Sequence, residues 1–123
     1  MIKHIYVPPY YYLIHLVIGL ESLDKLRKKT KEDYDEHPPK SICGFTKPLL
    51  DDDDIDSCLV FLHSDSDIQT IYHEALHATH FMLESRGIPI AVENTEVVAY
   101  HQEWLVTEIN RIFKKVREKS SLK

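Results

Sequence analysis

The sequence predicts an α+β domain, a small mixed or antiparallel sheet packed against two long helices, and three observations predict it. Apolar, β-prone runs occur at residues 10–19, 41–50 and 56–63. Two helical periodicities fill the second half of the chain, one over 67–86 and one from about residue 94 onward. The segments between these runs carry turn and stop signals, with no repeat or linker, so residues 1–123 read as a single domain.

In chain order, YYYLIHLVIG at 10–19 is rich in Tyr, Leu, Ile and Val and reads as a buried strand, Tyr10, Tyr11 and Tyr12 included. A helix follows from Leu20, with Leu23 and Leu26 on one side and charges elsewhere, and the HPP of 37–39 stops it. SICGFTKPLL and DSCLVFLH are two short strands separated by the aspartate turn at 51–54. SDSD at 64–67 supplies capping oxygens and acidic charge for a helix start. Gly87 then offers a left-handed residue at the end of that helix, and Pro89 bars its continuation. Ile71, Ala75, Ala78 and Met82 recur at helical spacing as its core side. The last helix opens near Asn94 or Thr95 with a stripe of Val97, Trp104, Leu105, Ile109, Ile112 and Val116.

Composition narrows the function classes. Hydrophobic residues make up 43% of the chain and there are only 3 Gly, which argues for a packed core rather than disorder. A net charge of −5 and the acidic run DDDDID argue against a nucleic-acid partner, and KKVREK near the C-terminus reads as a solvated helix face. The apolar stretch 10–20 is too short to span a bilayer, contains His15, and follows Pro8 and Pro9 rather than a basic segment. The expectation is a cytoplasmic protein with no membrane contact. Cys43 and Cys58 lack close metal-ligand spacing and read as reduced core thiols, one disulfide being the other reading.

The chemistry concentrates in IYHEALHATH at 71–80. His73, His77, His80 and Glu84 fall on a different helix face from the core residues. Residues four apart stack about 6 Å along a helix axis, so His73 and His77 can converge on one ion. Glu74 then stands beside that ion and can hold its water, the HExxH pattern in which the glutamate is a base and not a ligand. A chain with 8 His would contain this pattern by chance roughly four times in a hundred. Its place inside a well-marked helix, with a second helix soon after, is therefore part of the signal.

Zinc in a hydrolytic site takes three protein ligands and a water. Glu96, in the first turn of the last helix, is the expected third ligand, with Glu93 or Glu103 as alternatives and a dipole-favoured helix acid as its structural reading. His80 lies about 10 Å along the axis from His73, too far to share the ion comfortably. It reads as a surface histidine, or as one that faces substrate or supports the site. Tyr100 and His101, one turn beyond Glu96, could stabilise an oxyanion, though helix packing explains them equally well.

HEALH, a Gly-Ile-Pro turn and NTEVVAY together resemble the gluzincin branch of zinc metallopeptidases in a minimal single-domain form, over residues 57–105. The resemblance implies His73, His77 and Glu96 as ligands of Zn²⁺ and Glu74 as general base. Tyr100 stands where many gluzincins carry an acid that orients a histidine, and the expected form lacks the C-terminal domain of larger members. The expected function is metal-assisted hydrolysis of a peptide or protein substrate. The alternative is an inactive zincin-like module that binds metal and holds a partner. The sequence further suggests that SCLVFLH, 57–63, is an edge strand to which a substrate peptide pairs, unless residues 1–9 cover it. The acidic residues 51–54 and Asp65 would then favour basic residues in the peptide.

Overall fold

The computed structural model describes residues 1–9, 12–30, 44–49 and 57–121. Within them the order is β1 (Ile2–Val7), β2 (Tyr12–Ile18), α1 (Leu20–Thr30), β3 (Gly44–Leu49), β4 (Ser57–Leu62), α2 (Ile68–Ser85) and α3 (Thr95–Ser121), with a turn of 3-10 helix at Val92–Asn94 leading into α3. The strands form one mixed sheet in the order β1-β2-β4-β3. β1 and β2 are antiparallel, β2 and β4 parallel, and β4 and β3 antiparallel. The fold is thus α+β, and the sheet is of the mixed kind. The aspartate turn, the stop at 37–39, Tyr10, Tyr11 and Cys43 lie outside the described residues.

Alternation along β2 explains how the sheet is covered on both sides. Tyr12, Ile14, Leu16 and Ile18 join Ile5, Val7, Cys58, Val60 and Leu62 in a core closed by Ile71, Ala75, Ala78 and Met82 of α2 and by Leu105, Ile109 and Ile112 of α3. The residues between them face the other way, where Val17, Leu59 and Phe61 bury against Leu23 of α1. β4 is consequently apolar on both faces, with Cys58, Leu59, Val60, Phe61 and Leu62 all buried. A continuous run of this kind marks a strand covered on two sides, not a half-solvated one. Cys58 is a free thiol here, and burial pushes it up to about 12, against a smaller opposing effect of the Tyr12 hydroxyl.

Two expectations are corrected at this point. Residues 57–63 do not form an edge: β4 is hydrogen-bonded on one side to β2 and on the other to β3. Residues 1–9 do not lie over it either, because Ile2–Val7 forms β1 and pairs with the far side of β2. Among the described residues the edges are β1 and β3. β1 was not legible in the sequence because Ile2, Ile5, Tyr6 and Val7 of IKHIYV follow neither strict alternation nor an unbroken apolar run.

The metal-motif helix starts and stops as its local signals dictate. Asp67 is the N-cap, its carboxylate accepting from the Thr70 backbone N–H and hydroxyl, both at 2.9 Å. These two donors hold the Asp67 carboxyl below its ordinary range. At the other end Gly87 takes φ +73, with its N–H bonded to Glu84 O at 3.0 Å and the Ile88 N–H to Leu83 O at 2.9 Å. That pair of bonds satisfies carbonyls the last helical turn leaves open, and it needs a residue without a Cβ. The chain is then free to turn and lay α3 against α2. No helix of the described residues is long and apolar enough to cross a membrane.

Candidate metal centre

Helical spacing carries His73 and His77 to one side of α2, and the two rings meet there. Their Nε2 atoms are 3.2 Å apart, with centroids at 4.8 Å and planes at 74°. A tetrahedral zinc with bonds of about 2.0–2.1 Å holds two imidazole nitrogens roughly 3.3 Å apart. The separation of the two nitrogens therefore matches the bite of a metal chelate. Both histidines are exposed, so solvent reaches the position between them. His73, Glu74 and His77 form a group whose ligand atoms all lie within 4.8 Å of one another, and this group can hold a metal ion.

Glu74 differs from its neighbours in being buried, at 4% exposure. Its position on α2 turns it toward the edge strand β3, where Thr46 Oγ1 donates to Glu74 Oε1 at 2.9 Å and to the Glu74 backbone oxygen at 3.2 Å. A buried carboxylate costs several kcal/mol unless its oxygens are bonded, so this donor is what makes the placement tolerable. One carboxylate oxygen is thereby fixed by the sheet while the carboxyl stays beside the imidazole pair.

Next to the group lies an open cavity of about 440 Å³ lined by Gly44, Asp67, Gln69, Thr70, His73 and Glu74. Gly44 begins β3, and a Cβ there would sit 2.6 Å from Phe61 O and 3.2 Å from Thr70 Cγ2. Only a glycine lets the edge strand approach both β4 and α2 this closely, and that approach brings Thr46 within reach of Glu74.

The other sequence-predicted residues are distributed differently. Glu96 is exposed in the first turn of α3, and Glu93, Glu96 and Glu103 all stand outside the His73, Glu74 and His77 group. His80 is half-buried one turn beyond His77 and is not part of that group. Tyr100, 64% exposed, lines a separate cavity of about 280 Å³ with Glu103, Trp104, Thr107 and Glu108. His101 is buried beside it, ring centroids 5.4 Å apart, and burial holds its pKa below the ordinary value. Thr46 and Gly44 were not singled out by sequence. Nothing local marks a threonine in a strand as the partner of a carboxylate 28 residues away. No protein-family model, no curated protein and no solved structure matches the chain.

Proposed function

We propose that the protein is a zinc-dependent peptidase in which His73, His77 and Glu96 hold the ion and Glu74 is the general base. The observation that carries this reading is the 3.2 Å imidazole pair with a buried, sheet-anchored carboxylate beside it. Imidazole donors with a carboxylate suit zinc among the common divalent ions. Glu96 is supported by its place in the first turn of the helix that packs along α2, on a side chain long and exposed enough to swing.

Bound zinc would supply a water acidified towards neutrality and a Lewis acid for the scissile carbonyl. Glu74 would serve as the general base beside the ion, accepting a proton at its carboxylate and returning it to the leaving amine. Thr46, by occupying Oε1, leaves the second carboxylate oxygen to carry the proton. The strand β3, outermost on its side of the sheet among the described residues, lies close to Glu74 and would offer an extended peptide a ladder there. A second reading, a metal-binding module that holds a partner without cleaving it, is favoured by the cavity lining, which includes neither Tyr100 nor His101.

The test is metal content and hydrolysis measured together. Wild type is expected to retain zinc at this site and cleave members of a broad peptide library. Glu74→Gln is expected to keep the zinc and lose roughly a hundredfold or more of the rate. Zinc retained at the site in His77→Ala would overturn the metal assignment. Zinc without cleavage in wild type would select the binding module.

A further inference from the structure

On the face of the sheet opposite α2 a second imidazole pair stands between β1 and β2. His4 and His15 are direct cross-strand partners. Met1 and Ile18 exchange both of their backbone bonds, at 2.9 and 3.0 Å, which makes them a hydrogen-bonded pair of the antiparallel ladder. Such pairs alternate with non-hydrogen-bonded ones, so Ile2 with Val17 is open, Lys3 with Leu16 is bonded, and His4 with His15 is open. Side chains approach most closely at the open positions.

The two Nδ1 atoms are 3.0 Å apart, the ring centroids 4.9 Å, and the planes are nearly perpendicular at 87°. Between neutral rings this contact requires one Nδ1–H to donate to the bare Nδ1 of the other, so a lone pair is already aimed into the gap. We propose that His4 and His15 form a second metal site, which takes a divalent transition ion of the nickel, copper and zinc class through the two Nδ1 atoms, with water completing its shell.

A bond of about 2.1 Å and a cis angle near 90° place two nitrogens roughly 3.0 Å apart, the separation found here. The sheet holds both backbones, so little ordering remains to be done when the ion arrives. His4 is exposed on an edge strand and His15 is half-buried, which leaves the open coordination positions to solvent. The same row of the sheet continues from His15 to Leu59 and then Lys47, so an apolar residue stands between the pair and that cation. Two ligands rather than three make this an exchangeable site, weaker than a completed centre on α2.

The experiment is a calorimetric titration of Ni²⁺ into the full-length chain, with paramagnetic broadening of backbone amide signals to locate the ion. The His77→Ala variant removes the α2 pair, so the outcome does not depend on the peptidase reading. It is expected to bind one Ni²⁺ per chain and to lose amide signals around residues 3–5 and 14–16. His4→Gln in that background should weaken binding roughly tenfold or more. His4 lies exposed on an edge strand, so this change leaves the core intact, and circular dichroism checks that it does. No Ni²⁺ bound by His77→Ala, affinity unchanged by His4→Gln, or broadening centred elsewhere would each overturn the site. Binding in wild type that vanishes in His4→Gln but survives in His77→Ala would support it while removing the α2 centre.

Discussion

Thr46 and Glu74 join the edge strand to the metal-motif helix: the threonine hydroxyl donates to a carboxylate oxygen at 2.9 Å, and the carboxylate is buried. Thr46→Val keeps the shape and removes the donor, leaving a buried acceptor short of its partner. The expected loss is about 1.5–3 kcal/mol, the range for a hydrogen bond to a charged group. Thr46→Ser, which retains the hydroxyl, should lose less. Urea denaturation of the three proteins decides it, and equal stabilities for Thr46→Val and wild type would show that solvent replaces the bond at no cost.

Gly44→Ala tests the close approach that makes this contact possible. The added Cβ meets a backbone oxygen at 2.6 Å, and backbone cannot swing aside as a side-chain tip does. Strain of this kind costs about 1–3 kcal/mol. The same substitution at Gly19, where the space is open but φ is +92, strains only the local backbone. Thermal unfolding should therefore show Gly44→Ala as unstable while moving β3 off α2, visible as altered amide shifts at Thr46 and Glu74.

Zinc should stabilise the fold through α2. An ion that binds only the native state adds RT ln(1 + [L]/Kd), about 2.7 kcal/mol at a hundred times Kd. In a His4→Gln background, which removes the β1–β2 pair, zinc is expected to raise the melting temperature and a chelator to reverse the rise. His77→Ala in that same background should show no zinc-dependent shift. A shift of equal size in both would place the ion elsewhere.

Acid should weaken the fold through His101. Burial on α3 holds its pKa below the ordinary 6.5. Between that lowered value and 6.5 the unfolded chain binds more protons than the folded one, so stability rises with pH across the window. Stated the other way, the His101 contribution is intact above 6.5 and is lost as pH falls towards the folded value. His101→Gln should flatten the pH dependence of the melting temperature over this interval. Parallel curves for the two proteins would assign the slope to other groups.

The helices were legible in the sequence and the strand order was not, for a physical reason. Asp67, Gly87 and the spacing of Ile71, Ala75, Ala78 and Met82 act within a few residues of one another, so the pattern alone delimits α2. The facing of His73 and His77 is equally local, a consequence of helical pitch. Which strand stands at the edge depends instead on pairings between distant segments. CLVFL carries one clue, because its unbroken apolar run fits burial on both faces better than an edge position. Thr46 left no such trace. Its role exists only once β3 lies against α2.

His73 and His77 belong to a single helix, whereas β2 meets β4 and Thr46 meets Glu74 only after long loops have closed. Local helix formation precedes such pairings in most chains of mixed topology. A helix formed first would therefore bring the imidazole pair and Glu74 together before Thr46 arrives to bond the carboxylate. An ion captured at that stage would clamp one turn of α2 and offset part of the cost of helix nucleation. The metal would then act first as a folding aid, and only the closed sheet would supply Glu74 with the partner that fixes it.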